Sequence, residues 1–124
     1  MELHNKKTLV VGLGATGIAT ALFLREQGAQ VTVSEKKNRE DLLPATQQLY
    51  STGIVLETGG HQNETFLNAD LIVVSPGVSL ETPPLPAAAA KGVEIISEIE
   101  LASRFITVPI LSLIHISEPT RPTT

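Results

Sequence analysis

The stretch Thr8-Leu9-Val10-Val11-Gly12-Leu13-Gly14-Ala15-Thr16-Gly17 decides the fold. A short apolar run stops at a glycine, and Gly12, Gly14 and Gly17 then fit the spacing G-x-G-x-x-G. That spacing alone is a weak signal. It becomes informative because the run before it predicts a strand and the residues after it predict a helix. Ile18, Ala21, Leu22 and Arg25 recur at helical intervals, and Gly28 stands where a helix ends on a left-handed glycine. In such a turn Gly12 permits the tight reversal and Gly14 presents no side chain to an approaching ligand. Gly17 lets the helix lie close to the strand. The first N–H groups of the helix and its positive dipole end can then hold an anionic or polar group.

Working outward, Val31 to Val33 read as a second strand running into Ser34 and Glu35, the latter eighteen residues beyond Gly17. An acid at that position can accept hydrogen bonds from a ribose or from a base N–H. A polar loop follows. The pattern then predicts a helix over 43–51 with Pro44 in its first turn and Gly53 past its end. Strands are expected at 54–56, 71–74 and 93–96, with helices at 64–67, 84–91 and from Ser97 to about Phe105. Leu71 to Val74 are all apolar, as in a strand buried on both faces. Ser97 and Glu100 have the spacing of a capping box. Strand and helix alternate throughout. The expected fold class is therefore α/β, a Rossmann-like doubly wound parallel sheet of about five strands with flanking helices.

Composition agrees with one such domain. The chain has 124 residues, 42% of them apolar but only 3% aromatic, so Val, Ile, Leu and Ala must fill the core. The net charge is −4, and the only basic pairs are Lys6-Lys7 and Lys36-Lys37, which argues against a nucleic-acid partner. Cysteine is absent, which excludes a disulfide framework and thiolate chemistry. No apolar run approaches the length of a membrane span, and the polar start, Met1 to Lys7, does not resemble a signal peptide. The cytoplasm is the expected compartment.

In a doubly wound sheet the ligand lies at the carboxyl ends of the strands. Ser75-Pro76-Gly77 follows a central strand and should face the same crevice as the glycine loop. Gly77 and Val78 are expected to offer N–H groups to a phosphate, and Ser75 a hydroxyl.

Taken together, the glycine loop at 12–17, the strand into Ser75-Pro76-Gly77-Val78, and Ser97-Glu98-Ile99-Glu100-Leu101 occur in an order and spacing that resembles the Mur ligase family. The resemblance covers about Lys6 to Ile110. It implies an ATP-driven enzyme of peptidoglycan synthesis, in which a substrate carboxylate is activated as an acyl phosphate and attacked by an amino acid. The likeness is strongest to members that add D-glutamate to UDP-N-acetylmuramoyl-L-alanine. In that family the first domain holds the UDP end of the substrate, the second is the ATPase and the third helps bind the amino acid.

The resemblance places Ala15 and Thr16 where the family contacts uracil and its neighbourhood, within the nucleotide-binding loop of Gly12, Gly14 and Gly17. Glu35 matches an acid that bonds the base, and Lys36 and Lys37 follow where some members carry Thr and Arg. Ser75, Pro76 and Gly77 match the segment near the diphosphate. None of these residues would perform chemistry. Residues 1–106 are expected to be the UDP-substrate-binding domain, and 107–110 the start of a central ATPase domain. Its glycine-rich loop ending in Gly-Lys-Ser/Thr is absent from the sequence. ATP and Mg²⁺ are therefore expected of a full-length enzyme but not of this chain, which is expected to be inactive without the further domains in cis.

Leu111 to Arg121 read Leu-Ser-Leu-Ile-His-Ile-Ser-Glu-Pro-Thr-Arg. That string matches the translation of a transposase adaptor used in DNA library preparation. Residues 111–124 are accordingly expected to be a sequencing read-through and not biological.

Two other readings share the glycine loop: an NAD-binding domain of a dehydrogenase or nucleotide sensor, supported by Glu35, and a non-enzymatic interaction protein. His61 and Glu64 have H-x-x-E spacing but no third ligand, so no metal is expected. Ser34 and Ser75 have no His nearby in sequence, and Glu98 and Glu100 lie two apart on a helix, facing different ways.

Overall fold

The computed structural model describes residues 2–14, 16–42, 45–49 and 51–105. The 111–124 segment and Ala15 lie outside the described residues. Five strands, β1 (Lys7–Val11), β2 (Gln30–Glu35), β3 (Val55–Thr58), β4 (Leu71–Val74) and β5 (Glu94–Ser97), form one parallel sheet in the order β3-β2-β1-β4-β5. The helices are α1 (Gly17–Glu26), α2 (Asn63–Leu67), α3 (Leu85–Lys91) and α4 (Glu98–Phe105). Growth of the sheet reverses after β3, so β1 lies between β2 and β4. Val11 is paired with Ser34 on one side and Val74 on the other.

Both faces of the sheet are covered, which explains its apolar strands. Val10, Val31, Val33, Leu71 and Val73 face one core, closed by Ala21 and Leu24 of α1 and Leu101 of α4. Leu9, Val11, Ile72 and Val74 face the other, closed by Phe66 of α2 and by Leu85 and Ala88 of α3. All four residues of β4 are buried, as its sequence requires. Phe23 and Phe105 meet edge to face, centroids 5.0 Å apart, and join α1 to α4.

The expected strand positions hold within a residue or two, and Gly28 (φ +87) and Gly92 (φ +102) close their helices in left-handed conformation. The helix expected over 43–51 is different. A short 3-10 helix, Ala45–Leu49, stands there and another, Arg39–Leu42, precedes it, anchored by buried Leu49 and Leu42, while Pro44 lies outside the described residues. A tighter turn suffices, and it closes when Thr52 Oγ1 donates to the Leu49 carbonyl at 2.5 Å. The capping box at 97–100 is half made. Ser97 Oγ accepts the Glu100 N–H at 3.0 Å, while the Glu100 carboxylate takes Arg104 at 2.7 Å. Among the described residues no helix is long and apolar enough to cross a membrane.

Candidate functional site

The carboxyl ends of β1, β2, β4 and β5 converge at the point where strand order reverses, the position at which open α/β sheets bind ligands. Three loops and the start of α4 meet there.

The glycine loop sits against the loop after β4. Gly12 has φ +95, and a Cβ on it would stand 2.9 Å from Val78 Cγ2 and 3.2 Å from Ser75 Cβ. Only glycine serves both the turn and this close approach. A Cβ on Gly17 would fall 2.6 Å from the Gly12 carbonyl oxygen, so its hydrogen lets α1 start directly over the end of β1. Gly14 is different. A Cβ there meets nothing within 4 Å and the residue is exposed. Of the three described loop glycines, Gly14 therefore faces open space at the crevice.

Glu35, only 8% exposed, ties the end of β2 to this loop. Its Oε1 accepts the Leu13 N–H at 2.8 Å and its Oε2 accepts the Lys37 N–H at 2.9 Å. Burial pushes its carboxyl upward. The two backbone N–H groups, with Lys37 and His61 nearby, outweigh that and hold it below the usual carboxylate value. The sequence suggested an acid free to bond a ribose or base. The structure shows each of its two oxygens accepting one of the chain's own amides, with the remaining lone pairs as its spare acceptor capacity. The Lys36 and Lys37 side chains are exposed beside it.

Ser75 is 6% exposed, and its hydroxyl is shared between the Gly12 carbonyl at 2.9 Å and Glu98 Oε2 at 3.1 Å. The Val78 N–H closes a turn onto the Ser75 carbonyl at 3.0 Å. Two of the groups expected to face a phosphate are therefore engaged within the protein. Pro76 and Gly77 are exposed at the lip, with open space where a Gly77 Cβ would stand.

Two relationships were not legible in the sequence. Glu98 at the start of α4 reaches both loops, since its Oε1 accepts Thr16 Oγ1 at 2.5 Å while its Oε2 lies on Ser75. Ser34 does have a His partner in space: its Oγ lies 2.6 Å from His61 Nδ1. Ser34 is fully buried, which rules it out as an exposed nucleophile. His61, partly buried edge-on to Phe66 at 5.4 Å, is pulled below the ordinary histidine value first by burial, against the raising effect of Glu35 and with help from Lys36. The partner of His61 is thus on β2. No group of three metal-ligating side chains occurs among the described residues.

A cleft of about 390 Å³ opens beside Ser75 and Pro76, lined also by Val78, Leu80, Glu98 and Ile99. A larger hollow of about 610 Å³ runs past Lys7, Gln30, Thr32 and Val55. It includes the amino ends of β1 and β2, away from the converging loops.

Comparison with known proteins agrees with this geometry. The family model "Mur ligase MurD-like, N-terminal domain" matches residues 6–97. A UDP-N-acetylmuramoylalanine–D-glutamate ligase of Geotalea uraniireducens is 48% identical, aligned over 100% of this chain and 27% of its own length. The enzyme of that name from Acidobacterium capsulatum is 55% identical over 86% of this chain and 23% of its own. The chain thus spans about a quarter of the length of these curated relatives. Among solved structures, a pseudomurein peptide ligase type C from Methanothermus fervidus superposes with a TM-score of 0.59 at 28% identity, covering 76% of this chain and 19% of that one. The chain belongs to the Mur ligase family, as a MurD-like N-terminal domain.

Proposed function

We propose that this chain holds the UDP end of UDP-N-acetylmuramoyl-L-alanine for an ATP-dependent ligase that adds D-glutamate in cytoplasmic peptidoglycan synthesis. The observation that carries the reading is the open face at Gly14, set at the strand-order switch point in a chain of this family. On this reading the backbone around Gly14, Ala15 and Thr16 receives the uracil, and Gly12 and Gly17 shape the loop. Glu35 fixes the loop through Leu13 and keeps spare acceptor capacity near the base. Lys36 and Lys37 add positive charge at the rim, and the exposed Pro76–Gly77 lip faces the diphosphate beside Ser75. These residues bind and orient. The sequence carries no Gly-Lys-Ser/Thr loop to cradle ATP, so ATP and Mg²⁺ belong with further domains in cis and no chemical step is assigned to this chain.

Calorimetric titration of the 124-residue chain tests the reading. Saturable binding of UDP-N-acetylmuramoyl-L-alanine, competed by UDP and not by NAD, is expected. Tight NAD binding with no response to the UDP compound would replace it with the dinucleotide reading. The carboxylate of Glu35, turned onto Leu13 and Lys37, favours the first outcome.

A further inference from the structure

Thr16 is the N-cap residue of α1, yet no side-chain cap bond is made there. Threonine at this position ordinarily turns its hydroxyl onto the N–H groups of the first turn. Here the backbone of Thr16 is αR-like (φ −99, ψ −11), not the extended conformation of a capping residue, and the hydroxyl donates to Glu98 Oε1 at 2.5 Å. The partner is 82 positions away in sequence. The same carboxylate accepts Ser75 Oγ at 3.1 Å, and Ser75 in turn touches the Gly12 carbonyl at 2.9 Å. A single side chain thus connects the loops after β1 and β4 from the start of α4.

The geometry points to Glu98 as a positioning residue for nucleotide binding: it draws the Thr16 hydroxyl away from its own helix and so keeps the first turn of α1 open to a phosphate-bearing ligand. The inference rests on the proposed binding reading for its ligand, but the latch itself is a property of the free chain. Without Glu98, Thr16 is released from its αR-like conformation to take the extended one of a capping residue, and its hydroxyl oxygen then accepts from the first-turn N–H groups. The ligand then has to displace an internal hydrogen bond, and the Ser75 loop loses its tie to α4. Glutamine at 98 preserves the latch without the charge, because its oxygen can accept from Thr16 while its amide donates to Ser75 Oγ.

Amide hydrogen exchange on the wild-type chain, Glu98→Ala and Glu98→Gln is the first arm. Alanine is expected to slow exchange of the first-turn amides of α1 and to speed that of 75–78 by about tenfold, with β2 and β3 unchanged. Glutamine is expected to restore the wild-type pattern. Unchanged exchange in the alanine variant, or a glutamine variant that behaves like alanine, overturns the latch. The second arm titrates UDP. Glu98→Ala is expected to weaken binding about tenfold without lowering Tm, a combination that a purely structural role does not produce. Wild-type affinity in Glu98→Ala overturns the positioning role. If the wild-type chain itself ignores UDP, the binding reading fails, and the exchange arm still decides the latch.

Discussion

The Glu35 carboxylate lies 2.8 Å from the Leu13 backbone nitrogen, so the end of the second strand holds the glycine loop of the first. One buried side chain thereby sets the shape of the crevice from 22 positions away.

Replacing that carboxylate should cost fold and binding together. Glu35→Gln keeps one acceptor but turns an amide N–H₂ toward a backbone N–H. A loss of about 2 kcal/mol is expected from a charge-assisted hydrogen bond of this kind, checked by urea unfolding. The acid dependence follows the lowered carboxyl. The stabilisation is present above the ordinary Glu value of about 4.3 and disappears as pH falls through the lowered folded value. Wild-type stability should therefore decline through that acid window, and the glutamine variant should decline less.

His61 adds a second pH dependence. Its folded value is lowered, so as pH falls the unfolded chain takes up a proton before the folded one does. Stability is full above the ordinary histidine value of about 6.5 and decreases below it, toward the lowered folded value. An NMR titration of the His61 ring should place its midpoint below 6.5. His61→Phe should remove the slope of Tm in that window. A midpoint at or above the ordinary value would contradict the burial argument.

The glycines separate fold from binding. Gly17→Ala forces a Cβ to within 2.6 Å of the Gly12 oxygen, and a cost of about 1–3 kcal/mol is expected from overpacking. Gly14→Val builds out from a position where a Cβ meets no atom within 4 Å. It should leave stability within about 0.5 kcal/mol while blocking UDP by occupying the open face. Retained UDP affinity in a folded Gly14→Val chain would move the ligand elsewhere.

The segment 111–124 invites a test at the level of DNA. A long genomic read through the codon for Ile110 is expected to depart from the adaptor-like string and to enter a strand followed by a glycine-rich loop ending in Gly-Lys-Ser/Thr. A genome that encodes Leu111 to Arg121 as written would retire the adaptor reading.

The sequence by itself determined the alternation of strand and helix, because buried parallel strands must be continuously apolar, as Leu71 to Val74 are, and because glycine marks the turns. It also located the loops at 12–17 and 75–77, since the carboxyl ends of strands in such a sheet carry the ligand. It did not determine what those loops do with their polar groups. Strand order decided that. Placing β1 between β2 and β4 brings Glu35 to Leu13, Ser75 to Gly12 and Glu98 to Thr16, and the His61 loop returns to Ser34 on β2. These contacts span 22 to 82 positions, and hydrogen bonds at such separations follow from the packing of whole elements rather than from any local pattern. The 3-10 helices at 39–42 and 45–49 are the converse case, where a plausible helical spacing was overridden by a short segment pinned at buried leucines.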